Sequence, residues 1–116
     1  MARLPAVKVH PGDVVVADFP GITGTKRRPA VVVSSDTYHA TRPDVVLGLL
    51  TGRVAAATSP TDYRLQDWAE AGLYVPSAFR TFLITLPQQD VIARIGHLSG
   101  RDWAEVQNRL RLSIAV

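Results

Sequence analysis

The sequence predicts a mainly β protein: a small, strongly curved antiparallel β-barrel with a C-terminal α-helix and one or two short helices. With 116 residues, the chain has the size of one domain, and we expect a single domain over residues 1–116. Five to seven short apolar segments alternate with runs of glycine, proline and small polar residues. Because helical spacing of apolar residues is clear only near the C-terminus, a fold of alternating strands and helices is disfavoured.

Three strands are predicted in the N-terminal half. Residues 12–19 (GDVVVADF) are rich in β-branched side chains, which favour a strand. Residues 29–35 (PAVVVSS) and 45–50 (VVLGLL) are continuous apolar runs, typical of buried strands. The connecting segments are predicted to be loops or single turns, with one helical turn allowed in the second: 20–25, 36–43 and 52–60.

The C-terminal half adds shorter strands and a short helix. Residues 63–65 predict a short strand, and residues 76–86 and 90–95 predict two longer ones. Asp67 is a candidate N-cap, because a glutamate follows three residues later, which is the capping-box spacing. Gly72 would end that short helix.

The final element is predicted to be an α-helix that packs one face on the sheet. Ser99 is its candidate N-cap, with an aspartate three residues later. Four apolar side chains then recur at helical spacing: Trp103, Val106, Leu110 and Ile114. We expect Trp68 and Trp103 to lie in the core.

Composition favours an anionic partner and excludes thiol chemistry. The 13 Lys and Arg against 10 Asp and Glu give a formal charge of +3, and the pI is about 9.8. This balance is compatible with nucleic-acid binding, although a charge of +3 is also ordinary for solubility. Without cysteine there is no disulfide framework, thiol nucleophile or thiolate metal site.

No metal, cofactor or membrane is expected. No pair among His10, His39 and His97 has metal-ligand spacing, and we expect each to be structural, with His97 in a turn. No secretory signal is visible, and no apolar run is long enough to span a bilayer, so a cytoplasmic protein is expected. Walker loops, GxSxG elbows and paired-carboxylate motifs are also missing.

The densest charge cluster is Lys26-Arg27-Arg28, predicted where a Gly/Thr-rich loop enters a buried strand. It is either a solvated loop or a phosphate clamp, for which the planar arginine fork is suited. Thr51 is either a simple strand-end residue or a functional hydroxyl. Arg80 lies in an apolar strand and either points to solvent or needs a partner.

Five segments, in this order, resemble the MazF/PemK family of toxins from type II toxin–antitoxin systems. They are GDVVVADF at 12–19, GTKRRPAVVVS at 24–34, the strand 45–51, the stretch 67–77 that ends in Pro-Ser, and RIGHLS at 94–99. Each segment is modest alone, but their order and spacing are specific. The resemblance covers about residues 9–115.

The resemblance implies an SH3-like barrel, as in CcdB and PemK, that forms a homodimer. It implies an endoribonuclease that cuts single-stranded RNA, including mRNA, without a metal and thereby inhibits translation and growth. The RNA 2′-hydroxyl would be the nucleophile, leaving a 2′,3′-cyclic phosphate and a 5′-hydroxyl. A cognate antitoxin, partly disordered when free, would block the groove.

Matched to the family motifs, Arg28, Thr51 and Arg80 are the candidate catalytic residues. We assign the two arginines to stabilising charge on the phosphate oxygens, since a pKa above about 12 makes arginine a poor proton donor. Five further residues are candidates for RNA binding: Thr25, Lys26, Arg27, Arg53 and Ser77.

Two departures from the family pattern leave alternatives open. Many members have an acidic residue where this chain has Phe82, and the segment before Arg28 is short and lacks their Glu and Gln residues. The chain could therefore be a catalytically weak or inactive barrel that binds antitoxin or RNA. A CcdB-like gyrase poison is a further alternative. The basic cluster disfavours it, because contact with RNA needs side chains that donate hydrogen bonds to phosphates, and this cluster supplies them.

Overall fold

The computed structural model describes residues 7–116, in which six strands and two α-helices follow one another. They are β1 (Asp13–Gly21), β2 (Gly24–Val32), α1 (Asp36–Thr41), β3 (Asp44–Thr51), β4 (Tyr63–Arg64), β5 (Ala78–Pro87), β6 (Ala93–His97) and α2 (Gly100–Ser113). Two one-turn 3-10 helices lie at Val54–Ala56 and Gln88–Asp90. No helix in this part of the chain is long and apolar enough to cross a membrane.

The strands form one antiparallel sheet in the order β4-β5-β3-β2-β1-β6. Two irregularities in register, at Val14/Val15 against β6 and at Gly48/Leu50 against β5, curl the sheet, as bulges do. The sheet is thus a curled half-barrel with β4 and β6 at its ends. The predicted mainly β fold with a C-terminal helix is confirmed.

Apolar side chains are buried on both faces of the sheet. The inner face joins Val14, Val31 and Phe79 to Val106 of α2. The outer face forms a second cluster, which includes the following residues: Val9, Val15, Ala17, Ala30, Val32, Leu47 and Val91. Full burial of one such side chain stabilises the fold by roughly 1.5–3 kcal/mol. Burial on both faces explains the continuous apolar runs in the sequence.

A buried carboxylate joins α2 to the segment that follows β4. Asp102 is fully buried and accepts hydrogen bonds from the Tyr63 hydroxyl at 2.6 Å and from the backbone N–H groups of Gln66 and Asp67 at 3.0 and 2.8 Å. Burial raises the pKa of the Tyr63 hydroxyl to about 12, and the hydrogen bond to the Asp102 carboxylate contributes to this rise. Tyr63 therefore remains a neutral donor at every physiological pH.

Asp67 forms a second link to α2. Its carboxylate accepts from the Ser99 hydroxyl at 2.6 Å and from two nitrogens of Arg101, each at 2.6 Å. Hydrogen bonds from Arg101 and then Ser99 lower the pKa of Asp67 from 3.8 to about 2. Two carboxylates thus link the segment after β4 to α2: Asp67 of the segment and Asp102 of the helix.

Three predictions of element type or boundary are wrong. The segment 67–72 is a turn rather than a helix, because the Asp67 carboxylate bonds to α2 and does not cap its own segment. Strand β2 begins at Gly24, so Lys26, Arg27 and Arg28 lie on a strand and not in a loop. The sixth strand also starts later than predicted, at Ala93.

Smaller corrections concern the two tryptophans and the C-terminal end of the last helix. Trp68 and Trp103 are only partly buried and pack against the inner cluster. Ile114 follows α2 as its C-cap and is exposed rather than part of the apolar face. The N-cap at Ser99 is confirmed, since its hydroxyl accepts from the N–H of Asp102.

Replacing Asp102 by alanine is expected to lower the free energy of unfolding by about 3 kcal/mol, since three donors lose their buried acceptor. Tyr63→Phe removes one donor only and should cost about 1 kcal/mol. Urea denaturation followed by circular dichroism measures both. Equal effects of the two variants would show that Asp102 contributes nothing beyond its bond to Tyr63.

The contribution of Asp67 should depend on pH. A pKa lowered in the folded state means that the carboxylate stabilises the fold above about pH 4 and that this stability is lost as the pH falls toward 2. Asp67→Asn should therefore be less stable than the wild type at pH 7, and the gap should close near pH 2. Urea midpoints across this range measure the gap, and a constant gap would contradict the assignment.

Candidate active site

Three adjoining clefts lie where β2, β3 and β5 leave the core. The Arg28 cleft, of about 310 Å³, is lined by residues that include Arg27, Arg28, Pro29, Gly52, Tyr74 and Ser77. The central cleft, of about 190 Å³, is lined by Phe19, Lys26, Arg28, Leu49 and Phe82, among others. The Arg80 cleft, of about 310 Å³, is lined by Leu49, Thr61, Asp62, Arg80 and Phe82, among others. Arg28 lines the first two clefts and Phe82 the last two, so the three clefts adjoin at these residues and are together called the groove.

The register of β2 and β3 brings Arg28 and Thr51 toward each other. Their strands pair as far as Ala30 and Leu49. Arg28 and Thr51 each lie two residues beyond that pair, so both are on the face of Leu49, at facing ends of neighbouring strands. Thr51 is 8% exposed, and its hydroxyl oxygen accepts from the backbone N–H of Arg53 at 3.1 Å. That bond leaves the hydroxyl proton available to a ligand.

Two cations of β2 are not neutralised by the protein. Arg27 lies opposite Asp18 on β1, and its Nε is 3.3 Å from the Asp18 carboxylate. Within residues 7–116, neither Lys26 nor Arg28 has a carboxylate within 4.0 Å. The groove therefore presents two unpaired positive charges where the central cleft meets the Arg28 cleft.

Arg80 is held beside an acidic residue that the sequence did not indicate. Its Nε is 3.8 Å from Oδ1 of Asp62, whose side chain is only 5% exposed, whereas that of Arg80 is 45% exposed. The other oxygen of Asp62 accepts from the N–H of Ser59 at 3.2 Å. Asp62 therefore positions Arg80 at the edge of its cleft without covering the guanidinium group.

The predicted site residues divide into three groups. Arg27, Arg28 and Ser77 line one cleft, and Lys26 and Arg80 line the two beyond it. Ser77 is buried, and its hydroxyl donates to the carbonyl of Val75 at 2.9 Å. Thr25 and Arg53 are exposed and Thr51 is buried, and none of these three is among the residues that line the three clefts.

Asp62 and Tyr74 line the groove but were not predicted from the sequence. Asp62 lies 18 positions before Arg80, and no motif connects the two residues. Tyr74 is 97% exposed and stands in the Arg28 cleft. An exposed aromatic residue near the Pro-Ser pair was a signal that sequence reasoning left unused.

The three histidines are bound elsewhere in the structure. His10 contacts Asp36 at 2.8 Å, His39 contacts the Ser34 hydroxyl at 2.6 Å, and His97 contacts Asp13 at 2.8 Å. His97 ends strand β6, so its predicted place in a turn is wrong. None of the three lines the groove. Across residues 7–116, no group of three His, Cys, Asp or Glu side chains could hold a metal ion.

The buried partner of His97 keeps its negative charge. Burial raises the pKa of Asp13, but hydrogen bonds from His97, from the N–H of His10 and from Arg94 together outweigh it, so the net pKa is lowered. This cluster lies at the start of β1, at the far end of that strand from the hairpin that carries Lys26. We therefore assign it to stability rather than to the site.

Residues 10–114 match the family model described as PemK-like, MazF-like toxin of type II toxin–antitoxin system. The chain belongs to this family. An endoribonuclease MazF from Staphylococcus saprophyticus is 27% identical over 112 residues, covering 90% of each chain.

Solved structures share the PemK/MazF fold. One is an endoribonuclease in complex with its cognate antitoxin from a mycobacterial species, with a TM-score of 0.76, 17% identity, and coverage of 94% of this chain and 97% of that one. Another is MazF from Deinococcus radiodurans, with a TM-score of 0.73, 19% identity, and coverage of 93% and 97%. At these identities the likeness shows the fold alone.

One wall of the Arg28 cleft depends on two glycines. Gly72 has a φ of +89°, and a Cβ atom there would lie 2.2 Å from the carbonyl oxygen of Ile95. A Cβ atom on Gly96 would lie 2.1 Å from the carbonyl oxygen of Ala71. The turn that carries Tyr74 is thus in backbone contact with β6, which fixes the position of this wall.

Gly96→Ala should destabilise the protein and displace this wall, because neither of the two backbones in contact can yield easily. Gly100→Ala is the matched control, since nothing lies within 4 Å of a Cβ atom there. Thermal unfolding should show a loss of several degrees for Gly96→Ala and almost none for Gly100→Ala. Equal melting temperatures would contradict the close approach.

Proposed function

We propose that this PemK/MazF-family chain is the toxin of a type II toxin–antitoxin system and cuts single-stranded RNA, including mRNA, without a metal. The observation that carries this proposal is the pair of cations Lys26 and Arg28 in the central cleft, neither of which has a carboxylate partner in the described part of the chain. Free cations in an open groove suit a polyanion. The family membership supports the same reading.

The reaction is a transesterification within the RNA. The 2′-oxygen attacks the adjacent phosphorus, the bond from phosphorus to the 5′-oxygen breaks, and the 2′-hydroxyl proton leaves as the 5′-oxygen gains one. The products are a 2′,3′-cyclic phosphate and a 5′-hydroxyl. Negative charge grows on the non-bridging oxygens, and fixed donors that meet this charge lower the barrier.

Arg28, Arg80 and Thr51 are the proposed catalytic residues. Each arginine would donate to a non-bridging oxygen, and the Thr51 hydroxyl would supply a neutral donor. Asp62 is proposed to position Arg80, since its carboxylate lies 3.8 Å from the arginine Nε while the Arg80 side chain stays 45% exposed. Each arginine would act here through its fixed positive charge and not as a proton donor.

Five further residues are proposed to bind the strand on either side of the scissile phosphate. Lys26 and Arg27 supply positive charge on β2, and Arg27 forms an ion pair with Asp18. Ser77 contributes to the wall of the Arg28 cleft, whereas Thr25 and Arg53 would meet RNA outside the clefts. Their contribution to affinity should be smaller than that of Arg28.

The proposed partners are RNA and a cognate antitoxin. Related structures include a mycobacterial endoribonuclease with its cognate antitoxin and a MazE-MazF complex from Deinococcus radiodurans. We propose that this chain acts as a homodimer in the cytoplasm, where mRNA is translated. An antitoxin segment in the groove would compete with RNA for Lys26 and Arg28.

Arg28→Ala should lower the rate of RNA cleavage by roughly 100-fold or more, the loss typical of removing one charge-stabilising donor. Arg42→Ala is the matched control: this arginine pairs with Asp44 at 3.6 Å and does not line the groove. The measurement is cleavage of a long single-stranded RNA in EDTA, with chemical mapping of both new ends. Growth inhibition in cells should follow the same order.

Three outcomes would count against the proposal. Intact RNA with the wild-type protein, with and without divalent metal, excludes the nuclease. Binding without cleavage would favour an inactive binding barrel, a reading motivated by Phe82 in the place of the usual acidic residue. Inhibition of DNA supercoiling without RNA cleavage would instead indicate a gyrase poison.

A further inference from the structure

Phe82 is an exposed aromatic residue for which the fold gives no reason. It lies in the middle of β5 and is 48% exposed, whereas Ile84 and Leu86, its neighbours on the same face, pack against the outer cluster. Its ring meets only the edge of this cluster, with its centroid 6.2 Å from that of Phe19 and a tilt of 41°. Half of a large apolar side chain is therefore left in water.

Phe82 has cations on both sides. In the central cleft it lies with Lys26 and Arg28, and in the Arg80 cleft it lies with Arg80, whose Nε is 3.8 Å from the Asp62 carboxylate in the same cleft. Leu49 lines both clefts and is an apolar neighbour of Phe82 in each. The aromatic ring thus lies between a pair of cations without carboxylate partners and a half-exposed arginine that Asp62 partly neutralises.

Single-stranded nucleic acid is the ligand that fits this order of groups. Such strands bind by stacking bases on aromatic side chains while cations follow the phosphates. An antitoxin segment could supply carboxylates to Lys26 and Arg28, but a planar ring that stacks on Phe82 beside those charges is a feature that every nucleotide carries. RNA brings a base and its flanking phosphates in one unit.

We propose that Phe82 is a stacking platform for one base of the RNA strand, between a phosphate bound at Lys26 and Arg28 and another bound at Arg80. The inference rests on the proposed function and adds a residue that determines how the strand is placed. Phenylalanine has no hydrogen-bonding group, so it cannot read the edge of a base. Its preference follows stacking strength, which favours purines over pyrimidines.

The test uses short single-stranded oligonucleotides with 2′-O-methyl groups at every position, which cannot be cleaved because the nucleophile is blocked. Fluorescence anisotropy gives the Kd for the full chain. Phe82→Ala should weaken binding by about 10-fold or more, the range measured for loss of one stacked base. Phe82→Leu should also weaken binding, since it keeps apolar volume without an aromatic face, and Phe82→Trp should retain it.

Salt dependence separates stacking from charge. Phe82→Ala removes no cation, so the slope of log K against log salt should stay unchanged, whereas Arg28→Ala should make it shallower by about 0.7 for one phosphate contact. Ile92→Ala is the control for an exposed apolar residue, since it is 42% exposed and does not line the clefts. Phe82→Ala should weaken the binding of oligo(A) more than the binding of oligo(U).

Each remaining outcome has one meaning. Wild-type affinity in Phe82→Ala or Phe82→Leu overturns the stacking role, as does a wild-type protein that binds no oligonucleotide. Changed sedimentation or antitoxin affinity with unchanged RNA affinity would assign Phe82 to a protein contact and also overturns it. If the wild type binds with the expected dependence on Phe82 but leaves natural RNA intact, the nuclease proposal fails and the stacking role stands.

Discussion

The register between β2 and β3 is the constraint on which the groove depends. The C-terminal half of β2 is fully buried at Ala30, Val31 and Val32, whereas its N-terminal half is exposed. Burial of one end fixes the pairing, because a slip of one residue would send every side chain to the opposite face. The exposed end then carries Arg28 to a set position near Thr51 without any direct bond between them.

The opposite wall of the groove is fixed by different means. The segment between β4 and β5 has little regular structure, so strand pairing cannot position it. The buried carboxylate of Asp102 binds its backbone at two residues, and the close contact of Gly72 and Gly96 with neighbouring backbone fixes the turn. A loop held by these contacts can present Tyr74 to the groove as reproducibly as a strand would.

Charge in the groove is left unbalanced. Arg27 lies against the Asp18 carboxylate, but Lys26 and Arg28 have no carboxylate partner in the described part of the chain. Phe82 adds no negative charge to the groove and offers an aromatic face. The groove therefore favours binding of a polyanion more than it would with a carboxylate there.

The sequence by itself determined the elements whose burial leaves a local pattern. β-branched residues predicted β1, and continuous apolar runs predicted β3 and the buried half of β2, because strands buried on both faces need such runs. Ser99 and the helical spacing that follows it predicted α2. The buried strand after the Arg28-Pro29 junction was predicted, although the strand itself begins earlier, at Gly24. Its resemblance to a known family rested on these same local segments.

Only the tertiary structure decided the features that depend on pairs of residues distant in the chain. Pairing with β1 as far as Gly21 and Gly24 converts the predicted basic loop into a strand. Asp67 bonds to α2, 32 or more positions away, and its segment therefore forms a turn instead of the predicted helix. The place of Asp62 beside Arg80, and of Phe82 between two sets of cations, likewise arises only when the sheet curls and brings separate strands to one groove.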